Sequence, residues 1–268
     1  MKSEKKILAA PYAVWAAIFI IVPLCMILYY GLTDKNGAFT LENILAIAAP
    51  GHARALRRSV MLSLISTVIC FLLAYPLAMI LSEKKKNNSS FIILIFILPM
   101  WMNFLLRTLA WQTLLEKTGV INSVLAFLGL PALHIINTSH AIVLGMVYNF
   151  LPFMVLPLYN ALSKIDENVI HAAKDLGANS IQTFFRIILP LSVPGIISGI
   201  TMVFVPALTT FVISTLLGGS KVLLIGNVIE QEFTQASNWH LGSGLSIVLM
   251  IFILINMVVT ALFEKEES

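Results

Sequence analysis

The chain has 268 residues, of which 59% are hydrophobic and 11% charged, with a net charge of +4 and a mean hydropathy of +0.93. Soluble domains carry about 25% Asp, Glu, Lys and Arg, and less than half of that cannot coat a water-soluble globule of this size. Soluble enzyme, nucleic-acid binder and disordered scaffold are excluded, and uncharged runs longer than the ~20 helical residues that cross a ~30 Å hydrocarbon core indicate an integral membrane protein.

Lys2, Lys5 and Lys6 precede an uncharged run from Ile7 to Thr33. That run is too long for a cleavable signal core and no A-x-A site follows it. Leu24 stands before Cys25 where lipid modification would want a small residue. The first segment is expected to stay as an anchor. Cutting at the charges gives six predicted spans: Pro11–Tyr30, Ser59–Leu81, Ser90–Leu109, Ala141–Leu162, Pro194–Leu216 and Gly244–Leu262. Their continuous apolar character, without alternation, predicts helices. Cys25 and Cys70 lie inside apolar runs and read as packing residues, with no disulfide framework. No low-complexity tract, repeat or separate soluble domain is evident.

The positive-inside rule orients the spans. With the N-terminus inside, ten Lys and Arg fall in the cytoplasm, the triplet Lys84–Lys86 among them, against six outside. The cluster Arg54, Arg57 and Arg58 opposes this arrangement. Six spans place both termini in the cytoplasm, with Glu266 and Glu267 in an aqueous tail.

Three segments between spans are patterned. Val120–Leu130 predicts a short amphipathic helix at the outer interface, ended by Gly129 and Pro131. Lys221–Trp239 is expected outside, anchored by Trp239. Ser163–Pro190, expected inside, is the most informative. Ser163 with Asp166 has capping-box spacing. Ile165, Val169, Ala172, Ala173 and Leu176 then share one helical face, leaving Lys164, Glu167, Lys174 and Asp175 to water. Gly177 stands where a glycine ends a helix with positive φ. Asn179 with Gln182 starts a second short helix that Pro190 is expected to close.

His171-Ala172-Ala173, Gly177 and, nine residues on, Ile187-x-Leu189-Pro190 together resemble the "EAA" loop of ATP-binding cassette importer permeases, with His171 where that family usually has Glu. The resemblance implies that the loop docks in a groove of a cytoplasmic ATPase, with His171, Ala172, Ala173, Asp175, Leu176 and Gly177 as coupling residues. Further stretches, Leu98-Pro99-x-Trp101, Leu106-Arg107-Thr108, Gly119-x-Ile121-Asn122-Ser123, Leu151–Tyr159, Leu217–Lys221 and Leu223–Ile229, are similar to the spermidine/putrescine permease family of the PotB type. That similarity implies an all-α, six-span type I importer (MetI-like) permease fold. It would comprise an N-terminal anchor and external loop at 1–57, a permease domain at 58–263 and a cytoplasmic tail at 264–268. The implied partners are a second permease subunit, an ATPase dimer that binds the ATP and an external polyamine-binding protein, in a bacterial inner membrane.

The chain itself contains no G-x-x-x-x-G-K-[ST] loop; Gly218-Gly219-Ser220-Lys221 reads as a turn. His52, His134, His140, His171 and His240 have no metal-ligand spacing. No predicted span holds an acidic residue, so no carboxylate proton relay is expected. A polyamine cation would instead meet aromatic faces, each contributing roughly 0.5–2 kcal/mol. Trp101, Trp111, Tyr148 and Tyr159 are the pathway candidates, with Asn149 and Asn160, and Asn103 beside them, as carbonyl donors to the cation. The alternative for each is packing. Glu230 and Glu232 read as cation-receiving or simply solvated, and Arg107 as a structural residue reaching for the outer interface. A permease for another small solute, and a stand-alone secondary transporter, remain the alternative functions.

Overall fold

The computed structural model of the chain describes residues 11–12, 14–83, 98 and 100–266. The basic residues Lys2, Lys5, Lys6 and Lys84–Lys86, and residues 90–97 and 99 of the predicted third span, lie outside the described residues. Short helical turns such as Glu42–Leu45 and Leu189–Leu191 aside, the described helices are α1 (Val22–Gly31), α2 (Pro50–Glu83), α3 (Phe104–Leu115), α4 (Val120–Phe127), α5 (Ser139–Leu162) and α6 (Glu167–Asp175). They continue as α7 (Ser180–Thr183), α8 (Val193–Thr209), α9 (Val212–Gly218), α10 (Ile225–Thr234) and α11 (Trp239–Glu266). Among the described residues there is no strand, only an isolated bridge between Thr33 and Phe39.

Among the described residues, four helical stretches are long and apolar enough to cross a membrane: Val14–Gly31, Pro50–Ser82, Ser139–Leu162 and Trp239–Leu262. A fifth candidate is a bent pair, Ser180–Leu191 and Val193–Thr209, meeting at 63°. The second and last spans begin earlier than their hydropathy predicts, so Arg54, Arg57 and Arg58 sit on α2 itself and Trp239 opens α11. The predicted span Pro194–Leu216 is broken instead of continuous. Pro206 removes an N–H from α8, Thr209 Oγ1 bonds back to the Val205 and Pro206 carbonyls, and the chain is extended at Thr210.

The described residues form two compact units. One comprises those of Met1–Ala55 with Val228–Leu254. Here Asn43 Nδ2 donates to the Gly31 and Thr33 carbonyls at 3.3 and 3.0 Å. His240 Nδ1 donates to the Thr33 carbonyl at 2.7 Å. These bonds occupy carbonyls that the end of α1 leaves without intrahelical partners.

The other unit comprises the described residues of Leu56–Asn227 with Ile255–Ser268. Lipid tails are as apolar as leucine, so helices associate here through close packing and polar contacts. α2 turns its small residues inward: Ser59, Ser63, Ser66, Thr67, Cys70, Ala74 and Ala78 are buried, while Met61, Leu64, Val68 and Leu72 face out. α5 supplies the centre through Ile142, Met146, Met154 and Leu158. α8 meets it with Gly195 and Gly199, four apart; a Cβ on Gly195 would lie 2.5 Å from that of Ala161. Asn227 braces the break after α8. Its Oδ1 accepts from Ser214 Oγ at 2.5 Å and the Leu224 N–H at 3.1 Å, and its Nδ2 donates to Thr215 Oγ1 at 2.8 Å and the Phe211 carbonyl at 3.2 Å.

Candidate functional site

The loop after α5 folds largely as its local sequence dictates. α6 spans Glu167–Asp175, but its cap is Asp166, whose side chain accepts from the Asn168 N–H. Ser163, expected to be that cap, instead terminates α5. Gly177 has φ +87°. The Ala178 N–H reaches back to the Ala173 carbonyl at 3.0 Å and the Gly177 N–H to that of Lys174 at 2.9 Å. That is a Schellman ending, and only glycine adopts its left-handed residue without strain. The capping box of Asn179 and Gln182 forms in both directions.

α6 divides its apolar stripe. Ala173 is buried within the protein, so it is a packing residue and not part of an outward surface. Val169, Ala172 and Leu176 face out at spacings of three and four, with Leu176 89% exposed. His171, Asp175 and Gly177 are also exposed. The helical course then runs past Pro190. α7 leads into a wide π turn at Phe184–Ile188 and a last turn at Leu189–Leu191, and the bend falls at Ser192.

Tyr75 on α2 holds that bend. Its hydroxyl lies 2.8 Å from Ser192 Oγ, with both residues buried, and its ring packs edge-on against Phe184 at 5.7 Å. Sequence reading misses this contact because 117 positions separate the partners. The only local sign is a hydroxyl-bearing ring beside Pro76 in an otherwise apolar run.

The pathway candidates do not converge at one point. Trp111 and Tyr148 do meet, edge to face at 5.3 Å. Asn149, 1% exposed, donates from Nδ2 to the Gly145 carbonyl, and its Oδ1 is buried without a donor. Tyr159 and Asn160 lie eleven residues further along α5, about 16 Å away at 1.5 Å per residue; Tyr159 packs on the core and Asn160 is exposed. Trp101 is largely exposed. Asn103 is committed to capping α3, accepting from the Leu105 and Leu106 N–H groups. Arg107 does not reach for water: it is 7% exposed, with Nε unpaired. Glu230 Oε1 accepts from Thr234 on its own helix. Among the described residues no three His, Cys, Asp or Glu side chains are placed to hold a metal.

Residues 43–265 match the family described as "Binding-protein-dependent transport system inner membrane component". The chain belongs to this family. It is 38% identical over 255 residues to the spermidine/putrescine transport system permease protein PotB of Haemophilus influenzae, covering 92% of this chain and 89% of that one. The PotB protein of Escherichia coli K12 is 38% identical over 245 residues, with 88% and 89% covered. The inner membrane ABC transporter permease protein YdcU of the same organism is 30% identical over 228 residues, with 80% and 72% covered.

Among solved structures, a chain of a bacterial alginate ABC transporter, in complex with a periplasmic protein carrying an alginate pentasaccharide, superposes with TM-score 0.80. It is 19% identical and covers 95% of this chain and 91% of that one. A chain of the MetNI methionine ABC transporter in an inward-facing conformation gives 0.58 at 17% identity, with 81% and 95% covered. The fold is therefore the helical fold of type I ABC importer permeases, and the protein is a multi-pass component of the inner membrane.

Proposed function

We propose that this chain is one of two permease subunits of an ATP-driven polyamine importer, carrying spermidine or putrescine inward. The observation that carries the reading is 38% identity to spermidine/putrescine permeases along nearly their whole length. Six spans put both termini, Lys84–Lys86 and α6 on the cytoplasmic side. α6 docks through Val169, Ala172 and Leu176 in a groove of the ATPase dimer, which binds and hydrolyses the ATP. His171 replaces a fixed carboxylate with a hydrogen-bonding imidazole. Movement of the docked segment passes through Ser192 and Tyr75 into α2 and α8, the rigid-body coupling expected of alternating access.

The Trp111–Tyr148 pair offers aromatic faces to an ammonium group, and Asn149 Oδ1, on the next residue of α5 but buried, is an unmet acceptor. An external binding protein delivers the cargo and the second permease supplies the carboxylates that this half lacks. The test is uptake by liposomes holding the whole assembly: both permeases, the ATPase and the binding protein. ATP-dependent accumulation of labelled spermidine or putrescine is expected. Accumulation of another solute in place of polyamine, or uptake driven by this chain alone, overturns the reading.

A further inference from the structure

Away from the coupling segment, α2 and α5 border an open-sided groove of about 880 Å³. The two helices run the same way, since Ser66 Oγ contacts Met146 Sδ at 3.4 Å and Cys70 Sγ points to the Val147 carbonyl at 3.8 Å. The wall on α2 is Arg58, Leu62, Ile65 and Ile69. The wall on α5 is His140, Leu144, Val147 and Leu151, with the same offsets of four, seven and eleven residues. Each helix thus presents one continuous face, basic at its N-terminal end and apolar below, interrupted by the Tyr148 ring.

The dimensions and the charge identify an occupant. Eleven helical residues rise about 16 Å, close to the ~15 Å of one leaflet of a ~30 Å hydrocarbon core. The walls are thus about as long as one lipid tail region, and a basic end suits a headgroup. No acidic side chain is among the described residues that line the groove beside Arg58 and His140. A guanidinium in that position pairs bidentately with a phosphodiester, whereas it repels a cationic cargo. We infer that this groove is a binding site for one anionic phospholipid, its phosphate on Arg58 with His140 beside it and its acyl chains along Ile65 and Val147. The wall shares Tyr148 with the aromatic pair of the proposed pathway, whose other ring, Trp111, is not among the groove's lining residues; the assignment does not depend on which cargo is carried or which leaflet the mouth faces.

The test uses the assembled transporter in its native membrane with a photoreactive benzophenone amino acid in place of Val147, and separately in place of the exposed Met61, so that one disturbed position does not decide the result. After irradiation, mass spectrometry identifies the adduct on this chain. A phospholipid adduct rich in anionic headgroups is expected. Arg58→Gln should lower the anionic adduct roughly fivefold relative to the neutral one, as about 1 kcal/mol per basic side chain corresponds to. Cross-linking to another polypeptide, to polyamine, or to lipid in bulk headgroup proportion unaffected by Arg58→Gln overturns the assignment.

Discussion

α4 and α6 are short helices outside the spans, eight and nine residues long, and both leave apolar side chains bare. In α4 the side chain turned inward is polar. Asn122 Nδ2 donates to the Glu116 and Leu133 carbonyls at 3.0 Å each and its Oδ1 accepts from the Leu133 N–H at 2.7 Å. Val120, Val124 and Phe127 point outward, Phe127 to 90% exposure, and no residue from Gly119 to Ala132 is charged. In α6 the inward residue is Ala173, while Val169 and Leu176 are set among Glu167, His171, Lys174 and Asp175. A bare apolar face without charge suits lipid, where an ionised neighbour is costly. A bare stripe bordered by charges suits a protein groove, which buries the stripe and leaves the charges at a wet rim. Exposure alone therefore does not name the partner; the residues between the exposed ones do.

The contrast breaks most visibly on inserting the same charge into both helices. Leu176→Asp should abolish polyamine uptake and release the ATPase from the purified complex, because an unpaired carboxylate in a buried groove costs several kcal/mol. Phe127→Asp should keep the ATPase bound and lower uptake far less, since a charge at interface depth costs roughly 1 kcal/mol or less. Both chains should reach the membrane in wild-type amounts. ATPase loss with Phe127→Asp and retention with Leu176→Asp would reverse the assignment of the two faces.

A smaller effect separates how the two helices are held. Asn122→Ala removes three hydrogen bonds to Glu116 and Leu133, each worth about 0.5–1.5 kcal/mol net, with water able to replace part of them because both residues are exposed. The detergent-solubilised protein should melt at a lower temperature, with Asn122→Asp intermediate because it keeps the acceptor and loses the donor. Ala173→Gly on α6 removes no polar partner and should cost only about 1 kcal/mol of helix propensity. An unchanged melt for Asn122→Ala would mean that α4 is held by lipid and not by its own loop.

What the sequence makes legible depends on the range of the interaction. The course of α6, its Gly177 ending and the Asn179–Gln182 box depend on residues within five positions of each other, and they form where the spacing puts them. The cap moves from Ser163 to Asp166 because α5 runs to Leu162 and takes Ser163 as its own terminus. Which stripe residue turns inward is decided by surfaces elsewhere in the chain, so Ala173 and Leu176 are indistinguishable by periodicity yet end up on opposite sides of that boundary. The Tyr75–Ser192 contact, the bend it holds and the break at Thr210 depend on partners far apart in sequence. Hydropathy registers the apolar length of a span and not whether its backbone runs straight. Residue type alone selects the pathway candidates; it brings Trp111 and Tyr148 together but cannot register that Asn103 is spent on a cap.

The smallest expected effect is a control on the premise that α4 and α6 differ because of partners and not because outer segments are loosely held in general. Asp34, in the turn after α1, is held entirely by its neighbours: its Oδ1 accepts from the Ala38 N–H at 2.8 Å and the Asn36 N–H at 2.9 Å. The Ala38 N–H is the largest cause holding the Asp34 carboxyl below its ordinary range, against a smaller opposing desolvation. A carboxylate whose folded value is depressed stabilises the fold fully above its unfolded value of about 3.9, and that contribution disappears as pH falls through the lower folded value. At neutral pH the turn should be insensitive to pH, and Asp34→Asn should speed hydrogen exchange at the Ala38 amide modestly. In strong acid, where the wild-type carboxyl is also neutral, the two should exchange alike. Since the group is solvent-exposed, neither the melt nor uptake should move with it. A wild-type turn that loosens with pH near neutrality would show that it is governed by a group other than Asp34.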